Sequence, residues 1–339
     1  MIGVRTATGY RWLIVLLAFG LLASCIIALA FGPASVPLAS VAGIVGQQLG
    51  FAVPGEWTTS QAHIVWLIRA PRVVLGALVG AGLALVGTAL QAVTRNPLAD
   101  PHLLGVSSGA ALGAVLVMLY LGEFIGVFSL PLAAFVGAAG SMVLVILVAR
   151  RNGRLESDRL LLAGVAVSFV LMALVNLLLY TGDQHASASV LFWMLGGLGS
   201  ARWPVIWLPA LCVLLGLIAL QMMGRGLNAL MSGEQTAVSL GFSGRRLRLQ
   251  VFICTSLLTG VLVSLSGAIG FVGLMVPHMA RALVGAQNRR LLPVSALLGA
   301  VFLVWVDVAA RTLIAPEDLP IGIATAALGG VFFILLLKR

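Results

Sequence analysis

Long apolar segments, separated by short polar breaks, constrain this chain more than any other feature of its sequence. Charged residues make up only 9% of its 339 residues, whereas soluble proteins carry about 25%. A helix needs about 20 apolar residues to cross the hydrocarbon core, and lipid offers the backbone no other hydrogen-bond partners. The sequence therefore predicts an all-α polytopic membrane protein.

We expect about ten transmembrane helices from the spacing of these segments. The segments lie at about 12–32, 70–93, 102–120, 131–149, 160–180, 203–222, 249–268, 271–285, 291–311 and 320–337. The eighth is too short to cross perpendicular to the membrane, so we expect it to pack inside the bundle. A shorter apolar piece at 189–198 is expected to form an interfacial helix.

Basic residues at the ends of the apolar segments predict the orientation of the chain. Ten crossings put both termini on one side, and an inside N-terminus places sixteen Lys and Arg residues inside and four outside. The four outside are Arg69, Arg72, Arg202 and Arg311. Because inner loops carry the excess of Lys and Arg, both termini are predicted to be cytoplasmic. This placement accounts for the net charge of +10 without nucleic-acid binding.

Residues 69–113 combine two arginines, an apolar helix and an abrupt break. The segment reads RAPRVVLGALVGAGLALVGTALQAVTRNPLADPHLLGVSSGAALG. Gly76 and Gly80 lie four residues apart, on one face of the expected helix, where a neighbouring helix backbone can approach closely. We therefore expect this helix to be surrounded by other helices.

A later part of the chain repeats the glycine and proline pattern of this segment less closely. An offset of 180 residues pairs Gly80, Gly87, Pro97 and Gly105 with Gly260, Gly267, Pro277 and Gly285. The shared order of small and helix-breaking residues predicts an internal repeat, with halves at roughly 63–180 and 245–337 in a single domain of residues 1–339. The two copies would run in opposite directions, and inverted repeats are typical of transporters.

Cysteine and histidine residues give no indication of a metal or haem site. The cysteines all lie inside apolar segments without metal-ligand spacing: Cys25, Cys212 and Cys254. The histidines lie far apart in the sequence at segment ends: His63, His102, His185 and His278. We therefore expect no metal or cofactor bound by this chain.

Asp307 is the only acidic residue within an expected span. Ion-coupled carriers usually need ionisable groups at membrane depth, so Asp307 leaves open an ion-coupled secondary transporter with inverted repeats. Arg311 follows one helical turn later, and a local ion pair between the two is the simpler interpretation. A membrane component without any transport path is a third alternative.

The chain has no means of hydrolysing ATP through a P-loop. That phosphate-binding motif requires a lysine, and the only lysine here is Lys338, next to the C-terminus. The chain is therefore not expected to be an ATPase. Any energy from ATP has to come from a separate subunit.

The longest inside loop, 223–248, is the candidate contact for such a subunit. Ser232-Gly233-Glu234-Gln235 matches the Ser-x-x-Gln capping box and predicts a short helix there, stopped by Gly241. A short helix outside the bilayer suits mechanical coupling to an ATPase. The alternative is a solvated loop whose arginines serve only as topology signals.

Four motifs together resemble the FecCD-type permease family of ABC importers for iron-siderophores, haem and cobalamin. They are the RAPR to SSGA segment above, SGEQTAVSLG, GAIGFVGLMVPHMAR and DLPIGIATAALGG, and they occur in the family's order over nearly the whole chain. The resemblance implies a ten-helix subunit that pairs with a second permease subunit, most simply as a homodimer. It also implies two ATP-binding subunits that carry ATP and Mg²⁺, and a periplasmic substrate-binding protein.

The resemblance also implies functional roles for particular residues. Arg69 and Arg311 match family arginines that receive glutamates from the binding protein, and a forked guanidinium suits a carboxylate. A snorkelling anchor is the alternative for Arg69, and the pair with Asp307 is the alternative for Arg311. Glu234, Ala237 and Gly241 match positions of the helices that contact the ATPase.

The cytoplasmic gate is implied by two further matches. Asn96 and Leu98 match residues that narrow the cytoplasmic exit, although an ordinary helix terminator also explains Asn96. Ser157 and Asp158 match a second constriction built from small hydroxyls, and Asp158 departs from that pattern. An N-cap of the fifth helix is the alternative for this pair.

The sequence as a whole predicts a multi-pass permease of the bacterial inner membrane, driven by ATP hydrolysis in partner subunits. An iron-siderophore is the expected cargo, with haem and cobalamin as alternatives.

Overall fold

The computed structural model describes residues 6–51, 55–101, 105–150 and 157–338, which form fourteen α-helices and no strand. The helices are α1 Ala7–Ala30, α2 Leu38–Gln48, α3 Thr59–His63, α4 Ala70–Thr94, α5 Val106–Leu116, α6 Ser129–Ala149, α7 Ser157–Thr181, α8 Gln184–Met194, α9 Trp203–Met231, α10 Glu234–Ser239, α11 Gly244–Ser266, α12 Val272–Val284, α13 Asn288–Ala310 and α14 Ile321–Leu337. A π-helical turn, Ile64–Arg69, joins α3 to α4, and another, Val117–Leu121, extends α5.

The prediction of an all-α polytopic membrane protein is confirmed at the level of the helices. Within the described residues, seven helices are long and apolar enough to cross a membrane. The third, eighth and tenth predicted segments form shorter apolar helices, Val106–Leu121, Val272–Val284 and Ile321–Leu337. Ten crossings and the orientation of the termini therefore stay predictions.

Helix α4 is the centre of the bundle, as its glycines predict. It packs against α9, α11, α12 and α13, and nearly all of its residues are buried. A Cβ on Gly80 would lie 2.1 Å from the carbonyl oxygen of Gly299, and one on Gly87 would lie 1.9 Å from that of Gly273. Gly76 instead faces the side chain of Leu198. The close backbone contacts let dispersion forces hold helices together where lipid supplies no hydrophobic drive.

A second tight pair, α5 and α6, was not expected from the sequence. A Cβ on Gly109 would lie 2.3 Å from the Gly137 carbonyl oxygen, and one on Gly137 would lie 2.1 Å from that of Gly109. Helices α7 and α11 pack against this pair. The glycine-mediated contact of α5 with α6 is thus linked to those of α4 by α11, which also touches α4.

Two of the four residue pairs of the 180-residue offset occupy different positions relative to their helices. Gly87 lies inside α4, whereas Gly267 ends α11 with φ +65°. Pro97 lies in the turn after α4, whereas Pro277 lies inside α12. Glycine and proline favour several kinds of position, so their coincidence did not identify equivalent ones. The inverted repeat and its register stay predictions.

The predicted loop 223–248 is largely helical. Helix α9 continues to Met231, and α11 begins at Gly244. The short helix between them forms as α10, but its N-cap is Gly233 at φ 124° and no side chain caps it, so the capping box expected at Ser232 is absent. The segment predicted as an interfacial helix, 189–198, overlaps α8, Gln184–Met194. Its position at the membrane interface stays a prediction.

Candidate functional sites at the two ends of the bundle

The helix ends divide the charged residues between two ends of the bundle. The arginine end carries the start of α4 and the end of α13, which meet through Arg72 and Asp307. The α10 end carries α10 and the start of α13, where the amide of Asn288 donates to Asn228 of α9 at 2.8 Å.

A buried charge cluster joins α4 to α13 at the arginine end. Arg72 Nε donates to Asp307 Oδ1 at 2.8 Å, and Arg72 Nη1 donates to Asp318 Oδ2 at 2.6 Å. Arg311 Nε lies 3.4 Å from Asp307 Oδ2, so the predicted local pair is present. The Asp307 side chain is 1% exposed and the Asp318 side chain 48%. Asp307 therefore serves as a shared counter-ion for two arginines.

The two arginines predicted to dock the binding protein hold the end of α1. Arg69 donates to the carbonyls of Leu29 at 2.8 Å and Ala30 at 3.1 Å, and Arg311 donates to that of Ala28 at 2.8 Å. The last carbonyls of a helix lack partners within the helix, and guanidinium groups satisfy them. Both side chains are buried in this conformation, with residue exposures of 4% and 2%. Their docking role stays a prediction.

Arg72 and Asp318 are the residues at this end that sequence reasoning missed. The sequence predicts only a topology signal for Arg72, although Arg72 lies three residues from Arg69 and so within one turn of it. Its buried partner lies 235 residues away in the sequence. The only signal in the sequence for the pair of Arg72 and Asp307 is that each lies near the same predicted end of its span.

An ion-paired clamp fixes the short helix at the opposite end. Both nitrogens of the Arg248 fork donate to Glu234, Nη1 to Oε1 at 3.2 Å and Nη2 to Oε2 at 3.0 Å. The hydrogen bonds from Arg248 lower the pKa of the Glu234 carboxyl, and the nearby Arg95 lowers it further. Glu234 thus ties the first residue of α10 to α11, which positions the helix.

The exposed side chains of α10 and its C-cap are mostly polar, with two large apolar ones among them. Ala237 is fully buried, and Gly241 ends the helix at φ +82°. Val238 and Leu240 are 63% and 62% exposed. Of the predicted coupling positions, Ala237 is buried, whereas the Glu234 side chain is 54% exposed although it is paired with Arg248. The coupling role of Glu234, Ala237 and Gly241 stays a prediction.

The turn after α4 carries the first predicted gate at the α10 end. Arg95 ends α4 in the left-handed region at φ 53°. The Asn96 side chain accepts a hydrogen bond from the Leu98 backbone N–H at 2.9 Å, which stabilises the turn. The Leu98 side chain is 55% exposed. The terminator role of Asn96 is thus present, and its gate role with Leu98 stays a prediction.

The second predicted gate lies at the start of α7. Ser157 and Asp158 are its first two residues, and their side chains lie outside the described residues. Among the residues that the structure describes, no group of three His, Cys, Asp or Glu side chains is placed to hold a metal ion.

Comparison with known proteins identifies the family of this chain. The model of the FecCD transport family matches residues 20–339. The chain is 41% identical to the uncharacterised ABC transporter permease YvrB of Bacillus subtilis (strain 168) over 97% of its length and 94% of that protein. It is 40% identical to the hemin transport system permease HmuU of Yersinia pestis, which covers 84% of this chain and 86% of that one.

Two further proteins agree with this result. The vitamin B12 import system permease BtuC of Salmonella arizonae is 41% identical, covering 84% of this chain and 86% of that protein. A solved structure described as a metal-chelate type ABC transporter in an inward-facing conformation superposes with a TM-score of 0.83 at 32% identity. It covers 97% of this chain and 100% of the other. The chain therefore belongs to the FecCD transport family of ABC transporter permeases.

Proposed function

We propose that this chain forms the membrane path of an ABC importer for an iron chelate, most specifically an iron-siderophore. It works as a homodimer in the bacterial inner membrane, with two ATP-binding subunits and a periplasmic binding protein. The similarity to hemin, vitamin B12 and metal-chelate permeases supports a chelate as cargo. The chain itself binds no cofactor, because ATP and Mg²⁺ belong to the partner subunits.

The observation that carries this proposal is a pair of exposed apolar side chains at α10. A helix outside the spans, held by the Glu234–Arg248 clamp, presents Val238 and Leu240. Exposed apolar side chains beside polar ones are typical of protein contacts. The chain has no P-loop lysine of its own. A separate ATPase that binds α10 supplies the force for transport.

The proposed orientation places α10 and both termini in the cytoplasm. The excess of Lys and Arg on that side supports it, with sixteen of the twenty basic residues. The arginine end then faces the periplasm, where the binding protein approaches.

The ion-coupled alternative gains no support from Asp307. A coupling carboxylate must exchange its ion with water during transport, whereas Asp307 is 1% exposed and held by Arg72 and Arg311. Arg72 and Arg311 lie against its two carboxylate oxygens. Asp307 is therefore a structural counter-ion.

Changing Val238 and Leu240 together to glutamate is expected to lower ATP-driven uptake at least tenfold, because two apolar contacts with the ATPase are replaced by charges. The assay reconstitutes the complete importer into vesicles and compares uptake of a labelled ferric siderophore, haem and cobalamin. Gln235→Glu, which adds one charge at a polar exposed position of α10, is the matched control. Uptake against a gradient by the chain without any ATPase subunit would falsify the proposed function.

Changing Arg69 and Arg311 together to glutamine is expected to weaken the affinity of the permease for the binding protein at least tenfold. In the proposed docking each arginine pairs with a carboxylate of the binding protein, and glutamine cannot form that ion pair. Glutamine is chosen because its amide keeps hydrogen-bond donors but carries no charge. Arg202→Gln, an exposed arginine at the same end, is the control. A folded double variant with wild-type affinity rules out the docking role.

A further inference from the structure

A long apolar groove runs along the outside of the bundle between α6, α9 and α11. Its volume is about 770 Å³, and its walls include Phe128, Phe135, Cys212, Leu215, Ile253 and Leu257. Gly216 of α9 opens its floor, because a Cβ there would lie 3.0 Å from the Leu258 side chain of α11. The groove lies on apolar helices at membrane depth, so lipid acyl chains are the molecules expected to fill it.

The groove has the length and polarity of a lipid chain site. Gln250 and Ser264 line it near its two ends on α11, and the residues between them that line it are apolar or cysteine. Fourteen residues of helix correspond to about 21 Å, which exceeds half of the roughly 30 Å hydrocarbon core. One acyl chain from a single leaflet fits along it in extended form.

Unpaired basic residues stand at the α10 end of this groove. Arg246 lies four residues before Gln250, on the same face of α11, and is exposed. Arg245 and Arg225 are exposed nearby in sequence on α11 and α9. Among the described residues, none of these three arginines forms an ion pair, and the acid of the intervening segment, Glu234, is held by Arg248.

We propose that this groove is a binding site for an anionic phospholipid of the leaflet on the α10 side. One acyl chain lies between α6, α9 and α11, and the phosphate head group lies against Arg246. In the proposed orientation this is the cytoplasmic leaflet, whose anionic lipids are attracted by basic residues near the surface. The site is independent of the transported cargo and of the ATPase contact.

Charge favours a lipid over a second copy of this chain as the occupant. A second copy in the same orientation brings the same arginines to the same end, which opposes Arg246 with like charge. An anionic head group instead neutralises Arg246. The floor of the groove is closed, because α9 and α11 are in contact there at Gly216 and Leu258.

The test uses the full chain, with any co-purified subunits, in phosphatidylcholine nanodiscs that contain a few per cent of a photoactivatable probe. The probe is phosphatidylglycerol with a diazirine on one acyl chain, compared with the phosphatidylcholine analogue at the same level. Mass spectrometry locates the adducts. We expect phosphatidylglycerol to label the peptides that contain Cys212 and Cys254, and to exceed phosphatidylcholine about fivefold, the preference typical of one basic residue near the surface.

Variants distinguish the head-group contact from general lipid exposure. Arg246→Gln is expected to remove most of the fivefold preference, whereas Arg11→Gln, an exposed arginine on α1 away from the groove, leaves it unchanged. Gel filtration and thermal unfolding confirm that both variants are folded. Equal labelling by the two lipids, an unchanged Arg246→Gln variant, or adducts that vanish when a second permease or ATPase subunit is bound each overturn the proposal.

Discussion

Replacing Asp307 with alanine is expected to destabilise the protein by about 3–5 kcal/mol, because the change leaves buried Arg311 without its counter-ion and leaves Arg72 only the half-exposed Asp318. Arg72 is 2.8 Å from Asp307, and Arg311 is 3.4 Å away. Neither guanidinium reaches water readily, since their residue exposures are 8% and 2%. Unfolding of the purified chain in detergent, by heat or by a denaturing detergent, measures the loss.

Asp318→Ala is the matched control. Asp318 also pairs with Arg72, at a shorter distance, but its side chain is half exposed to solvent. Its carboxylate lies 2.6 Å from Arg72, yet its side chain is 48% exposed. Exposed ion pairs contribute about 0–1 kcal/mol, so this variant is expected to unfold close to the wild type. If the two variants lose the same free energy of unfolding, the burial of Asp307 does not explain its contribution to stability. The role of Asp307 as a buried counter-ion is then wrong.

Gly87→Ala is expected to have the second large effect, a destabilisation of about 3 kcal/mol or more. A Cβ at this position would lie 1.9 Å from the carbonyl oxygen of Gly273 and 2.5 Å from its carbonyl carbon. Backbone atoms cannot swing aside as a side chain can, so α4 and α12 have to move apart. Thermal unfolding and the yield of folded protein after gel filtration report the change.

Gly140→Ala provides the comparison for this substitution. Gly140 also lies inside a helix, α6, but a Cβ added there would have no neighbouring atom within 4 Å. Alanine is intrinsically the better helix former by about 1 kcal/mol, so Gly140→Ala is expected to be neutral or slightly stabilising. An equally tolerant Gly87→Ala variant contradicts the close contact between α4 and α12.

The two largest effects share a physical origin in the membrane environment. Lipid is as apolar as the helix surfaces, so burial of apolar surface does not drive helix association. Helices associate instead through close packing and through polar groups that pair with each other because no water is present. Gly87 represents the first means and Asp307 the second. Both hold α4, the central helix, to its neighbours, and α4 joins the arginine end to the turn at Asn96.

The sequence by itself determined the class of structure and much of its helix pattern. Runs of apolar residues long enough to cross a bilayer permit few other outcomes, because backbone polar groups in lipid must pair within their own segment. Gly80 was predicted to bring a neighbouring backbone close, and it does so against Gly299. The sequence also shows that the chain lacks a P-loop lysine, because this depends only on where lysines occur in it.

Only the tertiary structure decided which residues meet. The pair of Arg72 and Asp307 spans 235 residues, and the clamp of Glu234 and Arg248 depends on how α9 and α11 extend beyond the predicted spans. Helix periodicity describes which face a residue occupies, whereas its partner depends on how separate helices pack. The burial of Arg69 against the carbonyls of α1 and the groove between α6, α9 and α11 follow from that packing, which apolar periodicity in lipid leaves undetermined.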